Sequence, residues 1–243
     1  MKYTASVSDF FKAPQWGMNL LLGAVILMIP VAGPIVLAGW HITGFWARRP
    51  RDGPEAFPPF DFQDFGKYLA RGVWPFLVNL VASLALVPLV LCSVIPLLVF
   101  SGIVGAGHEE LAGISVAAAL AGICILQLGL TLVYQLVATP LMLRATITQD
   151  FKSSFDLAFV WDLLSRVWKE VLASMLFMFG LGLCLMVVTV ITCYIGLFFA
   201  APLLIFSWHH LQKQLYQLHL ARGGQPVPLS PKLNDLPPPL PAA

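Results

Sequence analysis

Residues 26–40 read ILMIPVAGPIVLAGW, in the middle of a 30-residue run, Gly17 to Trp46, that has no Asp, Glu, Lys or Arg. Such a run suits lipid, yet Pro-Val-Ala-Gly-Pro stands at its centre. As one straight helix it extends about 45 Å, at roughly 1.5 Å per residue. Fitting that length into a hydrocarbon core of about 30 Å needs a tilt near 48°, beyond the usual range of about 0–40°. Broken at the prolines, it gives two pieces of about 21 and 24 Å. Pro30 cannot supply an amide to a helix ladder, and Gly33 before Pro34 permits a reversal. The stretch therefore predicts a broken or re-entrant helical hairpin turning at Pro30, Gly33 and Pro34, with one kinked crossing as the alternative.

The rest of the chain is of the same character. Its 243 residues are 58% hydrophobic and only 11% charged, and the mean hydropathy is +0.83. A soluble domain carries about 25% charged residues. Further uncharged blocks run from Gly72 to Gly107, Leu111 to Leu143 and Val171 to Gln212. Each exceeds the roughly 20 apolar residues that cross a membrane. Barrel strands alternate, and these blocks do not. The fold class expected is all-α: a polytopic transmembrane helical bundle. The net charge of +2 gives no basic patch for nucleic acid, so no nucleic-acid partner is expected. Lys2 and Lys12 before an apolar run raise a signal peptide, but Asp9 and the length of the leading region argue against one.

Charge sets the topology. All fourteen Lys and Arg can be placed on one side. GAGHEEL at 105–111 and the Cys193-Tyr194-Ile195-Gly196 turn hold no Lys or Arg. Positive charge near span ends stays cytoplasmic, so these two turns face outward. The result is four full crossings plus the N-terminal hairpin, which keeps Lys12 and Arg48 on one side. Pro88 and Pro96 read as kinks, because a turn there would send Arg144, Lys152, Arg166 and Lys169 outside. The topology implied is multi-pass, with both termini cytoplasmic.

Each hairpin follows a short amphipathic segment: SVSDFFKAPQW, FDFQDFGKYLARGVW and QDFKSSFDLAFVWDLLSRVW. In the third, Asp162, Arg166 and Glu170 form one stripe while Phe159, Leu163, Val167 and Val171 share another face. That pattern suits a helix at headgroup level anchored by Trp161 and Trp168. Residues 1–222 read as a single membrane-embedded helical domain. The remainder, GGQPVPLSPKLNDLPPPLPAA, has seven prolines and reads as a disordered cytoplasmic tail over 223–243, with a docking ligand as the alternative.

Four blocks carry a resemblance. WGMNLLLGAVILMIPVAGPIVLAGWHITGFWARR, FPPFDFQDFGKYLARG, RATITQDFKSSFDLAFVWDLLSR and CYIGLFFAAPLLIFSWHHLQKQLYQL occur in this order over roughly residues 10–220. Together they resemble the prokaryotic integral membrane family catalogued as domain of unknown function 4013. Tyr194, where a second Cys is common, and Lys213, where a Gly usually precedes the Gln, depart from its pattern. The resemblance implies an integral membrane protein, located in the cytoplasmic (inner) membrane of a prokaryote, and no known chemistry.

The residues themselves offer little chemistry. The apolar blocks hold no carboxylate or cation, which argues against a carboxylate-coupled pump. No hydrolase elbow, phosphate loop or zinc helix is present, so no catalytic residue, metal ligand or cofactor is expected. Cys92, Cys124, Cys184 and Cys193 read as reduced packing residues. His41 reads as a hydrogen-bonded residue near the cytoplasmic interface, and His209-His210 as interfacial. Gln127, Thr131, Tyr134 and Gln135 form one polar helix face, which Asn79 could meet. It reads either as interhelical hydrogen bonding or as the lining of a path. Arg48, Arg49 and Arg51 read as positive-inside anchors or as a contact for anionic lipid. The function expected is a non-enzymatic membrane scaffold or accessory protein. Its partners would be the lipid bilayer and a membrane or cytoplasmic protein. The alternative is a small-solute or lipid transporter or channel using the broken first segment and the polar face.

Overall fold

A computed structural model describes residues 1–47, 57–107 and 109–235. In chain order the helices are α1 (Ala5–Phe11), α2 (Trp16–Leu27), α3 (Ala32–Trp46), α4 (Phe65–Leu84) and α5 (Val87–Gly107). They are followed by α6 (Glu109–Thr148), α7 (Phe151–Ser154), α8 (Leu157–Ile191) and α9 (Ile195–Ala221). No described residue forms a β-strand. Four helical stretches are long and apolar enough to cross a membrane: Phe62–Val104, Gly113–Thr148, Leu157–Ile191 and Ile195–Ala221. The chain is a helical protein of the membrane-spanning type.

The opening stretch is a helical hairpin. α2 has 12 residues and α3 has 15, about 18 and 22 Å of helix. The reversal is not made by Gly33. Val31 takes φ 63° and ψ −55°, and Ala32 N–H donates to Pro30 O across it at 2.7 Å. That is a γ-turn in its rare positive-φ form. Gly33 has a different duty: a Cβ there would collide with the Ile26 carbonyl, so it lets the two arms meet.

The chain divides into two units, Met1–Val78 with Thr139–Ala243, and Asn79–Ala138. The sequence reading takes 1–222 as one domain; the division falls inside α4 and inside α6. In the first unit, Ile26, Val36, Leu37 and Trp40 of the hairpin pack with Phe60 and Tyr68. α3 and α4 approach backbone to backbone, because Gly39 faces the Tyr68 carbonyl and Gly72 faces the Ile35 carbonyl. On α9, Phe206 packs edge-on to Phe10 at 5.1 Å, and Pro202 lies 3.1 Å from where a Cβ on Gly23 would be.

The third amphipathic segment is set off from the crossing that follows: Val167 leaves helical geometry (φ −134°, ψ 21°), so α8 is two helices joined at a kink there. Phe159, Leu163, Val167 and Val171 are all buried, so this face serves protein packing rather than lipid. Trp161 and Trp168 point outward. Asp156 caps the helix, accepting from Ala158 N–H and Phe159 N–H, and pairs with Arg144 at 2.8 Å.

Disorder from residue 223 is corrected for 223–235. Gly223 (φ 82°) ends α9 and turns the chain back. Val227 N–H donates to the Tyr216 hydroxyl at 2.8 Å, and Ser230 N–H donates to Ile147 O at 3.0 Å. Leu233 is fully buried. Proline content averaged over the segment hides two apolar side chains spaced to reach the helices. Residues 236–243 lie outside the described residues.

The second unit is built from the end of α4, α5 and most of α6. Helix α5 continues through Pro96. The break before it falls at Ala85–Leu86, and Pro88 sits in its first turn, where a missing amide costs nothing. None of the most apolar 18-residue window of Phe62–Val104 is buried, and 6% of that of Gly113–Thr148, against 44% for Ile195–Ala221. Surface this apolar needs lipid or another protein against it.

Candidate functional site

The polar face of α6 lies in the second unit. The Tyr134 hydroxyl donates to Asn79 Oδ1 at 2.7 Å, closing α6 onto the end of α4. Thr131 is exposed, while Gln127 keeps its Nε2 out of solvent and without a hydrogen-bond partner. Gln135 is half-buried beside Tyr134. Arg48, Arg49 and Arg51 lie outside the described residues. Of the hairpin residues, Pro30 supplies the carbonyl of the γ-turn, Gly33 the close approach, and Pro34 the first turn of α3.

Two constellations in the first unit escaped the sequence reading. One is an imidazole pair. His41 on α3 and His209 on α9 are both buried, with ring centroids 5.8 Å apart. Neither nitrogen of His41, nor Nδ1 of His209, has a hydrogen-bond partner. His41 is therefore interior and unbonded, not a hydrogen-bonded residue at the interface. Adjacent residues diverge on a helix, so His210 faces α1 instead, with Nε2 3.2 Å from Asp9 Oδ2. That carboxylate also takes Lys12 Nζ on Oδ1 at 2.7 Å. Burial raises the Asp9 pKa, but Lys12 and His210 outweigh it and leave the carboxyl below its ordinary value. Among the described residues no group of three or more His, Cys, Asp or Glu could hold a metal ion.

The other is centred on Arg71 of α4, which is only 3% exposed. Its Nη1 and Nη2 donate to the two carboxylate oxygens of Asp235 at 3.0 and 2.7 Å. Nη1 also donates to Thr43 Oγ1 at 3.0 Å, and Nε and Nη2 donate to Lys232 O at 3.2 and 2.6 Å. Every face of the guanidinium is thus used, as burial of a cation requires. The sequence places Lys67 and Arg71 one turn apart, a legible signal; that a residue 164 positions away completes the site is not legible.

A model of a family described as protein of unknown function, DUF4013, matches residues 22–194, more than two-thirds of the chain. The chain belongs to DUF4013. No curated protein and no solved structure matched it. The DUF4013 match runs from α2 to the turn before α9. It contains the polar face of α6, His41, Thr43, Lys67 and Arg71. His209 and the segment that brings Asp235 to Arg71 lie beyond the DUF4013 match.

Proposed function

We propose that this member of DUF4013 is a non-enzymatic scaffold or accessory protein of the cytoplasmic membrane of a prokaryote, with both termini cytoplasmic. The observation that carries the reading is the Tyr134–Asn79 hydrogen bond, in which the most polar face of a long apolar helix joins helix to helix. The orientation rests on the fourteen cations, all of which fall on one side when the hairpin turns back. Partners of this protein are the bilayer and a membrane or cytoplasmic protein, without a cofactor or nucleic acid.

Tyr134→Phe tests the reading. It should lower thermal stability in detergent by about 0.6 kcal/mol, the average worth of such a bond between membrane helices. Reconstituted vesicles should show the same solute and lipid flux with either protein. A second reading, a small-solute or lipid transporter, draws on one observation: Gln127 holds an unpartnered polar group on the same face. Specific flux lost in Gln127→Leu at unchanged stability would select that reading over the scaffold.

A further inference from the structure

The Arg71 site is built for an anion, and the anion it holds comes from the end of the described chain. The guanidinium fork that grips Asp235 also fits a phosphate, since both offer paired oxygens that take two parallel N–H bonds. Lys67 Nζ stands 3.9 Å from Asp235 Oδ1, and 3.0 Å from Asp64 Oδ1 on its other side. Lys232 holds its ammonium over the Trp74 ring at 4.8 Å. Arg71, Lys67 and Lys232 thus face Asp235 and Asp64, with Asp150 also acting on Lys232. Asp235 is the carboxylate that Arg71 grips, so its loss would remove the ion-pair partner of the buried guanidinium.

The fork and its occupant belong to different parts of the chain. Arg71, Lys67 and Thr43 are carried by helices that cross through paired glycines, so the fork is rigidly placed. Asp235 rides on a segment without a long helix, and its side chain is 22% exposed. The fork also precedes Trp74 and the apolar run that follows it, where a lipid headgroup would lie.

We propose that Arg71, with Lys67, is a binding site for a phosphate-bearing anion, and that Asp235 is a tethered occupant that holds it closed. A lipid headgroup and a free ion both supply such a phosphate, and the fork recognises the chemistry common to them. Anion binding at Arg71 is independent of the scaffold role, because it requires neither a protein partner nor flux.

The test uses the full chain in phosphatidylcholine nanodiscs. Phosphatidylglycerol is titrated in one arm and inorganic phosphate in the other, with bound molecules counted by native mass spectrometry. Asp235→Asn should bind phosphate-bearing anion about tenfold more tightly than the parent, because a charged competitor has become a neutral one. Adding Lys67→Gln should reverse several-fold of that gain, and adding Arg71→Lys should abolish it. A gain with phosphatidylglycerol alone identifies the headgroup; a gain with inorganic phosphate as well identifies the free ion. Should the Arg71 variant fail to fold, the Lys67 variant, at a half-exposed position, still decides. No gain in Asp235→Asn, a gain that ignores both cations, or loss of folding in Asp235→Asn itself would make the pair a structural clasp and overturn the proposal.

Discussion

Val31 is a β-branched residue, 64% exposed, in a backbone conformation that glycine adopts more easily. Val31→Gly therefore removes strain and loses little packing. Thermal stability in detergent should stay level or rise by about 1 kcal/mol. Gly39 is the opposite case, since its missing Cβ is where the Tyr68 carbonyl lies. Gly39→Ala should cost about 3 kcal/mol or more, because a rigid backbone cannot yield as a side chain does. An alanine accommodated without loss at Gly39 would mean that α3 and α4 do not cross there. Pro30, Gly33 and Pro34 made the break legible at this scale. Which residue would take positive φ was not, because Gly33 is held by a carbonyl from the other arm.

Among the elements, the long helices were legible and the short packed segments were not. Uncharged blocks mark α5, α6, α8 and α9, since nothing else in a small protein excludes charge for so long. The amphipathic start of α8 was legible as a face. Its destination was not, because an apolar stripe looks the same whether it meets lipid or protein. The packing of residues 225–235 was not legible, because prolines dominate the composition of the tail that contains them. Truncation after Gly224 removes buried Val227 and Leu233 and takes the carboxylate from Arg71. From the apolar burial alone it should lower stability by about 3 kcal/mol, measured as a thermal shift in detergent. A truncated chain that melts with the parent would show that this segment does not hold the first unit together.

For the whole molecule, the hairpin decides on which side the N-terminus lies. Ser8 precedes it and Gln63 follows it, and both are exposed. If α2 and α3 turn back, the two positions share a side. Cys193, in the turn between α8 and α9, is also exposed. Three crossings separate it from Gln63, so it should lie on the opposite side. The experiment replaces Cys92, Cys124 and Cys184, keeps Cys193 as one reporter, and in separate variants without it introduces Ser8→Cys or Gln63→Cys. An impermeant thiol reagent added to intact cells should label Cys193 and neither of the others. Inverted vesicles should give the reverse. Labelling of Ser8→Cys from outside, with Gln63→Cys still inside, would mean that the stretch crosses once. Lys2 and Lys12 would then lie apart from the other cations, against the charge rule that orients the rest of the chain. Labelling of both introduced cysteines from outside would invert the whole molecule while leaving the hairpin intact. The three positions thus separate the fold of the opening stretch from the orientation of the bundle around it.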